Sequence, residues 1–278
     1  MINKTVCIPI FGGIGNIIQT LPFAFAMKMR YARVNAYIRG INGTKEVMHI
    51  VRSTAIFNRI YKSYKAIPGD QKIFRHAERR SFPEWKAWFV DNKEPIPADV
   101  GIPRIGYAPM NEEYDVIIWP ECKGNWPCKK WPYQYYQNLI DIFHSTGKSI
   151  AVVGVDKSPN YTNATDYRGK ISLLETGGLI KNAKMFIGNE GGISHYAAAL
   201  KVPTFIILGC SDPVKNMPLM RNAHGISKNL DCQPCQFKRS FKINKKKNPW
   251  KMEGCLKLSC LRELTPDEVS QKIMEAMR

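Results

Sequence analysis

Lys4-Thr-Val-Cys-Ile-Pro-Ile10 leads into Phe11-Gly-Gly-Ile-Gly-Asn16, and from Ile17 to Met29 the apolar residues fall at helical spacing. A β-prone run, a glycine-rich turn and an apolar stretch of period 3.6 predict a strand, a tight turn and a helix in that order. The order returns downstream. Asp115 to Trp119 precedes a loop and Tyr133 to Phe143; Ser149 to Val155 follows; then come Met185 to Gly188, Asn189-Glu-Gly-Gly192, His195 to Leu200 and Thr204 to Leu208. Strands alternating with helices need crossover connections, which makes the sheets parallel and the fold class α/β. Two widely separated glycine-rich strand-to-helix units predict two doubly wound lobes, with a boundary in the Pro-containing stretch from Ile102 to Glu113. The expected parts are residues 1–110, residues 111–264, and a C-terminal helix over 265–278 that Thr265-Pro-Asp-Glu268 caps.

The chain has 278 residues, 44% of them hydrophobic, 11% aromatic and 23% charged, so it can bury full cores and is not a disordered chain. Lys or Arg interrupts every long apolar run, which leaves nothing near the roughly 18 to 20 residues a membrane helix needs. The early glycines also cut the first apolar run before it resembles a leader, so the expectation is a cytoplasmic protein, with the inner membrane face as a peripheral location. Charge is the strongest compositional signal, at +18 overall. Residues 1–110 carry 17 basic and 7 acidic side chains, residues 111–231 carry 13 and 11, and residues 232–278 carry 11 and 5. A near-neutral middle between basic flanks favours an anionic partner: nucleic acid, a phosphorylated glycolipid or an acidic membrane face.

Gly12-Gly13-Ile14-Gly15-Asn16 invites comparison with the dinucleotide-binding fingerprint, but Ile18 stands where the third glycine belongs. Arg33 and Arg39 also stand in the region where an acidic residue should meet a ribose. A nicotinamide-type site is therefore excluded. Two readings remain open: an anion or substrate site of exposed backbone N–H groups at a helix N-terminus, or a purely structural turn.

Three segments together resemble bacterial family 9 glycosyltransferases, the heptosyltransferase group. They are Gly12 to Pro22, Lys129-Lys-Trp-Pro132 with Tyr135 and Leu139, and Ile187-Gly-Asn-Glu-Gly-Gly-Ile-Ser-His-Tyr-Ala-Ala-Ala-Leu200 with Pro203. The resemblance implies a GT-B fold of two Rossmann-like lobes, the acceptor on the first and a nucleotide sugar on the second. It implies donor contacts at Lys129, Glu190, Gly191, Gly192 and His195, and acceptor contacts at Gly13, Gly15 and Asn16. Basic side chains and helix N–H groups suit such a reaction, because the leaving nucleoside diphosphate gains negative charge. Two departures fall on the acceptor side. Asn16 replaces the Asp that the family presents as base, and an amide cannot take a proton from a hydroxyl. The first lobe, at about 110 residues, is also short. A third departure, Glu190 for the usual Asp, lies on the donor side.

With a cytoplasmic setting expected, eight cysteines point to thiols or a metal rather than disulfides. Cys232-Gln-Pro-Cys235, nineteen residues, and Cys255-Leu-Lys-Leu-Ser-Cys260 can converge on one structural ion, Zn or Fe, with four reduced structural cysteines as the alternative. This segment resembles the cysteine motif of the iron-binding autotransporter heptosyltransferases. Cys7, Cys122, Cys128 and Cys210 read as unrelated core or loop thiols. Between the cysteine pairs, residues 237–251 interleave seven basic side chains with Phe237, Phe241 and Trp250, and Lys245, Lys246 and Lys247 are the expected phosphate contacts unless the loop is merely solvated.

The leading expectation is an inverting glycosyltransferase that moves a sugar from a nucleotide-diphosphate donor of the ADP-heptose kind to a lipopolysaccharide or protein acceptor, without a catalytic metal. DNA or RNA base glycosylation is the runner-up. A non-catalytic nucleic-acid binder and a nucleotide-sugar epimerase complete the alternatives, the last poorly supplied with carboxylates.

Overall fold

The computed structural model describes residues 1–39, 45–75, 83–122, 126–236, 255 and 257–278, with two short strands at 242–243 and 252–253. The N-terminal part contains β1 (Ile2–Phe11), α1 (Ile14–Arg30), β2 (Tyr31–Arg39), α2 (Lys45–Ser53), β3 (Arg59–Tyr61), β4 (Lys72–Ile73) and α3 (Glu84–Asp91). Its four strands form one parallel sheet in the order β3-β2-β1-β4. Strand alternation sorts the side chains. Val6, Ile8 and Ile10 are fully buried toward α1, whereas Cys7 joins Tyr37 and Tyr61 in a smaller cluster. Phe23 of α1 centres the first core, stacked on Trp88 at 5.5 Å and edge-on to Phe74 and Phe89 at 5.0 and 5.1 Å. Burying such a side chain contributes roughly 1.5–3 kcal/mol.

The second part continues with β5 (Val116–Trp119), α4 (Tyr133–Ser145), β6 (Ile150–Val152), β7 (Thr165–Asp166), α5 (Leu173–Lys181), β8 (Met185–Asn189), α6 (Gly192–Ala199), β9 (Thr204–Ile207), α7 (Pro213–Asn216) and β10 (Ala223–Ile226). These strands form a six-stranded parallel sheet in the order β10-β9-β8-β5-β6-β7. β5, β8 and β9 are buried along their whole lengths, as expected of parallel strands covered on both faces. A small antiparallel pair, β11 (Lys242–Ile243) and β12 (Met252–Glu253), precedes α8 (Ser259–Arg262) and α9 (Pro266–Ala276). Thr265 caps α9, accepting from the Glu268 N–H at 3.3 Å, and the helix buries Val269 and Ile273 in the second sheet's core beside Tyr136 and Leu139.

The expected α/β class, parallel sheets and two-unit arrangement are therefore observed. The elements run somewhat longer or shorter than the sequence predicts: α1 starts at Ile14, inside the glycine turn, and β6 ends at Val152. One apolar cluster reaches from Ile8 and Phe23 through α1 into Tyr196 and Ala197 of α6, so the two units meet through these two helices. Among the described residues no helix is long and apolar enough to cross a membrane.

Candidate functional site

Both glycine turns lie at the carboxyl ends of their strands, where open parallel sheets bind ligands. The structure brings them together. A Cβ on Gly15 would stand 3.2 Å from His195 Cδ2 and 3.3 Å from Gly192 Cα, and one on Gly192 would stand 2.5 Å from Ile14 Cγ2. Only hydrogen at these two positions lets the turns approach so closely. Gly12, at φ 94°, sets the first turn and places its backbone against the Asn16 side chain.

The two helices that start here lack side-chain caps, as α3 and α4 do. α5 begins with a complete Ser172–Glu175 capping box, whereas α1 and α6 begin on Gly13 and Gly191 with no side-chain cap and no acidic residue in the first turn. Their N-terminal N–H groups keep hydrogen-bonding capacity and carry the positive end of each helix dipole. Two such ends side by side suit an anion. Gly13 and Asn16 are exposed there, so their backbone and amide groups are open to a ligand.

Behind the second turn sits a buried ion pair. The Lys129 ammonium bonds Glu190 Oε2, Ser211 Oγ donates to the same oxygen at 2.7 Å, and Lys129 lies over the Trp126 ring at 4.8 Å. Burial alone would raise the Glu190 carboxyl, but the adjacent Lys129 charge and the donated hydrogen bonds outweigh it and hold the group below its ordinary range. Lys129 is raised for the converse reason, its partner outweighing its own burial. The sequence names Lys129 and Glu190 as donor contacts, and the structure pairs the two side chains with each other beside the glycine turn.

His195, 2% exposed, occupies the first turn of α6. Burial pushes its pKa down to about 4, so the ring is neutral at pH 7. Its Nε2 lies 3.3 Å from Gln19 Nε2 of α1, while Nδ1 has no hydrogen-bond partner. The Gln19 amide sets the tautomer: with its NH2 toward Nε2 the ring proton lies on Nδ1, and with its oxygen there the proton lies on Nε2 and Nδ1 carries the lone pair.

Several organising residues escape a sequence reading. Asn189 is fully buried, accepts from the Trp131 N–H at 3.1 Å and donates to the Pro120 and Glu121 carbonyls at 3.0 and 3.2 Å. It thereby joins the Lys-Trp-Pro segment and the β5 loop to the glycine turn. Gln19 and Ser211 act across the chain as well, and nothing local distinguishes Ser211. The polar spacing of Gln19 on an otherwise buried helix face was the available signal.

The cysteine segment docks on the second unit. Gln233, inside Cys232-Gln-Pro-Cys235, donates to the Gly209 carbonyl at 2.6 Å, and the Gln236 N–H donates to the Cys210 carbonyl at 3.0 Å. Cys235 and Cys260 are buried, Cys255 is half-buried and Cys232 is exposed. Burial pushes the Cys235 thiol up to about 11 and the Cys260 thiol up to about 12. Among the described residues, however, no three His, Cys, Asp or Glu side chains surround one point as metal ligands. Cys128 and Cys210 correct a further expectation. They are not unrelated loop thiols: Cys210 Sγ lies 2.7 Å from Cys128 Sγ, and both pack against Cys235. Lys245, Lys246 and Lys247 lie outside the described residues.

Residues 25–246 match the profile of glycosyltransferase family 9 (heptosyltransferase). Among curated proteins, lipopolysaccharide heptosyltransferase 3 of Escherichia coli is 26% identical over 131 residues, which are 43% of this chain and 38% of that protein. Lipooligosaccharide heptosyltransferase 2 of Haemophilus influenzae is 26% identical over 110 residues, 35% of this chain and 32% of that one. The chain thus spans under two fifths of the curated relatives it matches. Among solved structures, the iron-containing dodecameric glycosyltransferase TibC of enterotoxigenic E. coli superposes with a TM-score of 0.75 at 14% identity, over all of this chain and 79% of that one. The same protein has been solved with ADP-D-beta-D-heptose, with a TM-score of 0.74 at 15% identity, over 100% and 78% of the two chains. The E. coli ADP-heptose heptosyltransferase II gives 0.64 at 16% identity, over 99% and 100%. These likenesses establish the GT-B fold.

Proposed function

The chain belongs to glycosyltransferase family 9, and from that premise we propose that it transfers a sugar from a nucleotide-diphosphate donor of the ADP-heptose class to an anionic acceptor. The observation that carries this reading is the meeting of two uncapped helix N-termini at Gly13 and Gly191 beside His195. In an inverting transfer the acceptor oxygen attacks the anomeric carbon while the bond to the diphosphate breaks and its electrons pass to phosphate oxygen. Fixed N–H dipoles aimed at that developing charge lower the barrier without a metal. Gly191, Gly192 and the Lys129–Glu190 pair form the donor side. Gly13, Gly15 and Asn16 form the acceptor side, residues 1–110 being the acceptor lobe and residues 111–264 the donor lobe, followed by the helix at 265–278.

The hydroxyl proton needs an acceptor, and the Asn16 amide is not one. We assign that role to His195 in the tautomer whose Nε2–H donates to a Gln19 amide turned to present its oxygen, because Nδ1 then carries the lone pair. The +10 charge of residues 1–110 supports a phosphorylated lipopolysaccharide or protein acceptor. The lysine-rich loop keeps nucleic acid as the alternative, which a salt-dependence comparison of the two acceptor classes separates.

The four thiols of the cysteine motif are soft donors suited to Zn or Fe, which would close the segment structurally through Cys232, Cys235, Cys255 and Cys260. TibC, described as iron-containing, supports that assignment.

A panel of nucleotide sugars in a thermal-shift assay tests the function. The cognate donor at 100 times its dissociation constant should stabilise the chain by roughly 2.7 kcal/mol, and donor turnover should accompany it. Absence of binding and turnover with every ADP-, GDP- and UDP-sugar overturns the reading.

A further inference from the structure

The N-terminal sheet has two unlike faces. Helices α1, α2 and α3 contribute to the core on the Val6, Ile8 and Ile10 side, whereas the opposite side carries the small Cys7, Tyr37 and Tyr61 cluster, edged by Ile67 and Ile73. Toward the amino ends of the strands that opposite side turns polar. Thr5 pairs in register with Arg33, and Asn35 with Arg59, so strand alternation sets these side chains and Tyr61 on one face. Together with Pro68, Asp70 and Gln71 they line a groove of about 490 Å³. It lies away from the glycine turns, because the stretch from Thr5 to Phe11 alone spans about 20 Å at the parallel-strand rise of roughly 3.3 Å per residue. The floor of the groove is held in place. Asn35 and Tyr61 are 4% and 7% exposed, Asn35 Nδ2 donates to Gln71 Oε1 at 3.0 Å, and Gln71 Nε2 donates to the Tyr61 hydroxyl oxygen at 3.0 Å. That direction leaves the Tyr61 O–H as a donor and Asn35 Oδ1 as an acceptor; turning both amides leaves the Asn35 NH2 as a donor and the Tyr61 oxygen as an acceptor. Either way one donor and one acceptor remain for a ligand. Asn58 Oδ1 receives the Val34 N–H and the Lys28 ammonium, which fixes this amide with its NH2 left to donate. Arg33, Arg59 and Asp70 are exposed at the rim, and among the described residues neither guanidinium has a hydrogen-bond or ion-pair partner.

We propose that this groove is a second ligand site, separate from the glycine-turn cleft, and that it takes a phosphate-bearing saccharide. The charge balance selects the phosphate. Two guanidinium forks on neighbouring strands match phosphate oxygens, repel each other while no anion lies between them, and outnumber the one Asp70 carboxylate. The remaining groups select the sugar. A carboxylate that only accepts, an Asn58 NH2 that only donates and a floor that does both are the complement of a ring of hydroxyls, each of which donates and accepts. The volume also lies in the range of small-molecule sites and exceeds what a bare phosphate needs. The assignment stands on this lobe alone and does not rest on the transferase reading.

The test titrates glucose 6-phosphate, inorganic phosphate and glucose into the full chain by calorimetry, with and without ADP as an occupant of the glycine-turn cleft. Glucose 6-phosphate should bind once per chain whether or not ADP is present, inorganic phosphate more weakly and glucose not measurably. Arg33→Gln and Arg59→Gln should each weaken glucose 6-phosphate about tenfold or more, the loss expected of charged hydrogen bonds, and leave ADP binding unchanged. Asp70→Asn should weaken glucose 6-phosphate without weakening inorganic phosphate. All three replaced side chains are exposed, and melting curves check that the variants remain folded. Phosphatidylcholine vesicles doped with lipid A, added as a competitor, separate the two sources of such a group: displacement of glucose 6-phosphate places it on a lipid headgroup, and its retention places it on a soluble sugar. No binding of glucose 6-phosphate overturns the proposal, as does binding that ADP displaces and both arginine variants keep, which would belong to the cleft. Inorganic phosphate bound as tightly as glucose 6-phosphate overturns it too, leaving a plain anion site. Glucose 6-phosphate binding that follows the arginines in a chain that binds no ADP supports this site and counts against the transferase reading instead.

Discussion

Substituting Glu190 by Gln leaves the Lys129 ammonium buried without its partner. The two side chains are only 14% and 8% exposed, and the carboxylate oxygen that receives Lys129 also receives Ser211. Removing one member of a buried pair typically costs about 3–5 kcal/mol, because the remaining charge has lost the field that offset its desolvation. Lys129→Met should cost a similar amount, since it strands the carboxylate. The double variant Lys129→Met/Glu190→Gln buries two neutral groups of similar shape and should recover most of the loss, giving a strongly non-additive cycle. For a chain of this size each kcal/mol moves the midpoint by roughly 2–4 °C, so each single variant should melt at least about 6 °C lower. Urea unfolding of the four proteins at pH 7 supplies the cycle. The Glu190 carboxyl is held below its ordinary range, so its contribution is present above the unfolded glutamate pKa and is lost as pH falls through the folded value. Single-variant costs below about 1 kcal/mol, or additivity within roughly 0.5 kcal/mol, would refute the burial argument.

His195 has a folded pKa near 4 against about 6.5 for an ordinary histidine, so the unfolded chain binds more protons between those values and stability should rise with pH across that window. The rise is roughly 3 kcal/mol, and it should vanish in a pH series on His195→Gln. Gly192→Ala pushes a methyl to within 2.5 Å of Ile14 Cγ2, so it should destabilise by about 1–3 kcal/mol and weaken donor binding; an unchanged melting curve would mean that the turns separate freely. Asn16→Asp places a carboxylate at the exposed N-terminus of α1, and steady-state kinetics should show faster transfer if that position lacks only its base. Loss of a measurable native rate in this variant would place the acceptor differently.

Local pattern was enough to read the parallel α/β class, the first strand and helix, most elements from Asp115 onward and the Thr265 cap, but not β2, α2, β3, β4, α3 or α5. The period-2 and period-3.6 signals and the glycine turns act over a few residues, so they survive without knowledge of the rest of the chain. The residues of the candidate site were legible in the same way, because Gly13, Gly15, Gly192 and His195 lie on the two turns themselves. Their relations were not. That Lys129 spends its charge on Glu190, that Gln19 meets His195 across 176 positions, and that Asn189 binds the loops around it are outcomes of chain crossing. The cysteines divide along the same line. Spacing singles out Cys232, Cys235, Cys255 and Cys260, whereas Cys128 and Cys210 meet each other and Cys235 because two sheet loops, 82 residues apart in the chain, fold into contact. Contacts of that range depend on how the β5, β8 and β9 ends align in the finished sheet. No short window of sequence encodes that alignment, and only the tertiary structure decided it.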